Sequence, residues 1–146
     1  MGSWIELDAY YPPGALTPAA AFLVALGHLA GATSAYAHAE AGELAAFWPR
    51  GLRGIAPDHD LIARVEHYLS SVPLDAFLTE ACARLNTAQR HCLWLNLLDA
   101  GLRRTACPEE LPYFTALLAG LGAPPEWVAR HRLLLDQKNN LAIFPQ

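Results

Sequence analysis

Apolar residues along this chain recur at the three-to-four-residue spacing of a helix in segment after segment, and no stretch alternates as a strand would. Thr17 followed by Pro18 marks a helix start, with a stripe through Phe22, Leu23, Leu26, Leu29 and Ala30 that loosens near Gly31. A second helix is expected over 37–48, stopped by Pro49, and 50–57 reads as a loop. Pro57 or Asp58 opens the next helix, which places Leu61, Ile62, Val65, Tyr68 and Leu69 on one face. Ser71 is a candidate cap for the helix after Pro73, with Leu74, Phe77, Leu78, Ala81 and Leu85 at helical spacing. Asn86 or Thr87 caps a helix that is apolar nearly all round, from Cys92 to Leu98, and such a helix is expected at the centre of the molecule.

Gly101 reads as the weakening of that helix. A restart is expected at Thr105 to Pro108-Glu109-Glu110, with carboxylates in its first turn and a stripe of Leu111, Phe114, Leu117, Leu118 and Leu121 up to Gly122. Pro124-Pro125-Glu126 opens the last helix, which is expected to bury Trp127, Val128, His131, Leu134 and Leu135 and to end at Asn139-Asn140. Residues 141–144 then form an apolar tail expected to pack back. The pattern predicts an all-α fold, a compact bundle of about six to seven helices over 17–146 preceded by an irregular arm over 1–16.

Composition agrees. Hydrophobic residues make up 53% of the 146 residues and charged ones only 16%, which is too apolar for disorder. The excess is alanine and leucine, which favour helices. Net charge is −4, and the arginines cluster only at Arg103-Arg104 and Arg130/Arg132, so the positive footprint that nucleic acid needs is missing. Three cysteines, Cys82, Cys92 and Cys107, lack disulfide or zinc-ribbon spacing and fit a reducing, cytoplasmic setting. The acidic, proline-broken N-terminus is unlike a signal peptide. Residues 9–39 carry no Asp, Glu, Lys or Arg, so 19–37 could be read as a membrane span. Its glycines, its hydroxyls and His28, with alanine predominating over leucine, favour a buried central helix instead.

Sliding the chain by 70 residues sets Thr17 on Thr87, Leu23 on Leu93, Gly31 on Gly101 and Glu40 on Glu110. Each half then reads as a capped apolar helix, a glycine break, a short linker and a glutamate at the next helix start. In the second half this appears as Leu98-Asp99-Ala100-Gly101, then Cys107-Pro108-Glu109-Glu110-Leu111, and an ending Leu117-Leu118-Ala119-Gly120-Leu121-Gly122. The pattern resembles the tellurite-resistance protein B (TerB) family, most closely over 87–121, with a degraded copy over 16–48, together about half the chain. The resemblance implies paired helices around acidic loops, a divalent-cation site built from those loops, and a bacterial stress-response role. Asp99, Glu110 and Glu40 are the residues it offers as ligands. Here Ala100 separates the aspartate from the glycine, Leu29 occupies the position matching Asp99, and Arg103-Arg104 sit in the loop. Cationic guanidiniums oppose a bound cation, so the resemblance points to a degenerate site.

Other groupings are less specific. Consecutive Asp58-His59-Asp60 cannot all point at one ion, and Asp58 suits an N-cap. His91-Cys92, Cys107, His28 and His38 match no closed zinc pattern. Cys107 at a helix start could carry a lowered pKa, yet no third residue orients a Cys/His pair. Histidines on apolar helices are more often core residues hydrogen-bonded to neighbours. No phosphate loop, GxSxG or HExxH occurs, and no catalytic residue is identified.

The expected function is a non-catalytic TerB-like binding or scaffolding module that takes a protein partner or a second copy of itself. No resident cofactor is expected beyond a residual divalent cation. The alternative is a small helical enzyme or ligand-binding bundle with a buried pocket using His28, His91 and Asp99.

Overall fold

The computed structural model describes residues 16–31 and 59–145. These form six α-helices and two 3-10 turns: α1 (Pro18–Gly31), α2 (His59–Ser71), α3 (Leu74–Arg84), α4 (Thr87–Arg104), a turn at Pro108–Glu110, α5 (Phe114–Gly120), α6 (Pro125–Asn139) and a turn at Leu141–Ile143. No strand occurs among the described residues, and the all-α expectation holds. The helix expected over 37–48, most of the N-terminal arm, and with them His38, Glu40 and Asp58, lie outside the described residues.

The centre belongs to α1. Thr17 caps it, its hydroxyl accepting the Ala20 amide at 3.2 Å. Ala21, Leu23, Val24, Ala25, Leu26 and Leu29 are all buried, on every side of the helix, because α2, α3, α4 and α5 each pack against it. Fourteen residues of helix span about 21 Å, short of a bilayer's hydrocarbon core. No helix among the described residues is long and apolar enough to cross a membrane. Around α1 the predicted stripes close the core: Leu61 and Val65 from α2, Phe77 and Ala81 from α3, Leu93, Leu97 and Leu98 from α4, and Phe114, Leu117 and Leu118 from α5.

Local chemistry accounts for the helix ends. Asn86 opens α4 with a reciprocal capping box, its side chain accepting the Gln89 amide at 2.9 Å while the Gln89 side chain accepts the Asn86 amide at 2.8 Å. Gly122, at φ 86°, closes α5: its amide bonds Ala119 and the Ala123 amide bonds Leu118, the paired pattern of a Schellman ending.

Six expectations are corrected. Ser71 does not cap α3; its hydroxyl donates back to the His67 carbonyl at 2.7 Å, and Pro73 stands at the cap position. Pro108-Glu109-Glu110 is a separate 3-10 turn and not the first turn of α5. The cause is Pro112, whose ring forces Leu111 into an extended conformation (ψ 131°) and breaks the helix before Phe114. Gly101 does not end α4, which continues to Arg104; a Cβ there would lie 2.7 Å from the Phe114 ring, so glycine serves the close approach of α4 to α5. Nor is α4 enclosed all round, since His91, Cys92 and Leu95 are exposed on its outer side. Finally, α6 holds Trp127, Val128, His131 and Leu135 half-buried but leaves Leu134 exposed, and the apolar tail does not pack back.

Candidate functional site

Asp99 lies in the last turns of α4, where its carboxylate accepts from the Arg103 guanidinium at 2.5 Å, one helical turn on. Glu110 is exposed at the end of the 3-10 turn, and its neighbour Glu109 is paired with Arg132 of α6. Arg132 also donates to the Ala106 carbonyl at 2.9 Å, so this loop is tied to α6 by a cation. Glu40, the third carboxylate, lies outside the described residues. Among the described residues no group of three or more His, Cys, Asp or Glu side chains is gathered as metal ligands would be. The chemistry the loop displays is ion pairing within the chain.

His28 and His91 are placed in different aromatic surroundings. His28, near the end of α1, packs its ring 5.3 Å from Phe77 and edge-on 6.2 Å from Tyr113. Its Nε2 is buried and has no hydrogen-bond partner among the described residues, contrary to the satisfied core histidine expected from the sequence. Burial, which disfavours the charged form, holds its pKa below the usual histidine value. His91 is exposed and packs on the rings of Trp94 and Trp127, at 4.8 and 6.4 Å. Trp127 in turn stacks on His131 at 3.9 Å and meets Trp94 edge-on at 5.2 Å. The Trp94 indole donates to the Leu121 carbonyl at 3.1 Å, and a His131 ring nitrogen lies 2.8 Å from the Trp127 carbonyl. These rings occupy one another's faces and seal the α4–α6 seam. Cys92 and Cys107 are exposed free thiols, and Asp60 is exposed at the start of α2.

Two features had not been singled out from the sequence. One is Glu80 on α3, which accepts the Tyr68 hydroxyl at 2.6 Å through one oxygen and the Leu16 amide at 3.0 Å through the other. It thereby ties α2 and the entry to α1 onto α3. Burial, then the hydrogen bond and charge of Glu80, push the Tyr68 phenol far above its ordinary pKa. The sequence signal was its position three residues after Phe77 and beside Ala81, a charge inside an apolar stripe.

The other feature is the surface of the last helix. Only Trp127, Val128 and Leu135 of its large apolar side chains pack against the core. Leu133 (59% exposed), Leu134 (56%), Leu141 (72%), Ile143 (65%) and Phe144 (69%) face solvent within twelve residues of chain. Single exposed leucines are ordinary, whereas a run of five large apolar groups is a feature of binding surfaces. Comparison with known protein families, with curated proteins and with solved structures finds no match to this chain.

Proposed function

We propose that this chain is a non-catalytic helical binding module, a degenerate TerB-like domain that works through the apolar surface of its C-terminal helix and tail. The observation that carries the reading is the exposure of Leu133, Leu134, Leu141, Ile143 and Phe144 beside a core closed around α1 by α2, α3, α4 and α5. The pairing of Asp99 with Arg103 and of Glu109 with Arg132 supports a loop in which carboxylates serve internal ion pairs in place of a cation. A bacterial stress-response setting of the tellurite-resistance type follows from the sequence resemblance and belongs to the same proposal.

Site-specific photocrosslinking in the native host tests it. A benzophenone side chain at position 134 or 144 is expected to give a discrete protein adduct, with the same group at position 126, on the polar first turn of α6, as the control. Adducts at 134 and 144 but not at 126 support the module; absence of adducts at both apolar positions contradicts it. Calorimetric titration with Ca²⁺, Mg²⁺, Mn²⁺ and Zn²⁺ tests the cation half of the reading. No heat is expected, and saturable binding lost in Asp99→Asn would restore a working metal site.

A further inference from the structure

We draw no further inference here: the strongest candidate, the exposed apolar surface of the last helix and tail (Leu133, Leu134, Leu141, Ile143 and Phe144), belongs to the binding surface already proposed, and nothing in the structure shows what covers it.

Discussion

His28→Leu should make this protein more stable, and increasingly so as the solution is acidified. The imidazole Nε2 is buried without a partner among the described residues, packed against Phe77 and Tyr113. Burying a polar atom unpaired costs about 1–3 kcal/mol in proteins, whereas leucine has a similar volume and nothing to satisfy. Against that gain stand the ring contacts with Phe77 and Tyr113, worth about 0.5–1.5 kcal/mol together. At pH 7.5 the net gain is therefore about 1 kcal/mol. The pH term has a definite sign. Burial lowers the folded-state pKa below the unfolded value of 6.5, so the unfolded chain binds the extra proton first. Wild-type stability is full above pH 6.5 and falls as pH drops below it toward the folded-state value, by at most about 1.4 kcal/mol per pH unit from this one group. His28→Leu lacks that term. Urea unfolding at pH 7.5, 6.0 and 5.0 gives the difference between the two proteins directly, with the urea slope as a check on two-state behaviour. A variant less stable than wild type at pH 7.5, or a gap that does not widen on acidification, would refute the reasoning and point to a bonded His28.

The phenol of Tyr68 gives the opposite window: its folded pKa is raised above the unfolded value of 10.0, so its contribution is complete below pH 10 and is lost as pH rises beyond it. Tyr68→Phe should cost about 1 kcal/mol at pH 8 in urea unfolding and should lose stability less steeply than wild type above pH 10; parallel alkaline curves would contradict the Glu80 contact. Gly101→Val should lower stability by about 2 kcal/mol in thermal melts, because its Cβ would sit 2.7–3.1 Å from the Phe114 ring and Pro108, both buried. A neutral result there would mean that α5 can slide away from α4. Pro112→Ala removes the barrier to a helix running from the 3-10 turn into α5, and should raise helical ellipticity slightly at 222 nm; no change would assign the break to something other than the proline ring.

What could be read from the sequence was local. Thr17, the Asn86/Gln89 pair and Gly122 act through groups within a few residues, so their chemistry is written beside them and the helix ends follow. The core stripes were equally legible, since spacing alone places Leu61 with Val65 and Phe77 with Ala81. What periodicity could not settle was which apolar face is buried when a helix carries apolar residues on more than one side. The same pattern that buries Leu97 and Leu98 leaves Leu95 in water, and Leu134 resembles Leu135 in every local respect. Contacts between distant segments decide these cases: α1 takes the centre, α4 is left with an outer face, and α6 docks by its tryptophan edge. Pro112 was a local signal that the apolar run around it masked. For the candidate site, the sequence offered carboxylates and histidines as isolated letters. Asp99 was readable as a partner of Arg103 from its spacing, but the separation of His28 from His91 into two aromatic clusters was not.

The most direct test of the claim that α6 and the tail are the working surface is amide hydrogen exchange of the protein alone and with the partner recovered through the crosslinks at positions 134 and 144. Protection is expected to rise on binding only over 133–144, with α4 and the 98–110 loop unchanged. Added protection at the 98–110 loop, or none over 133–144 while the partner binds, would place the working surface elsewhere and contradict the account.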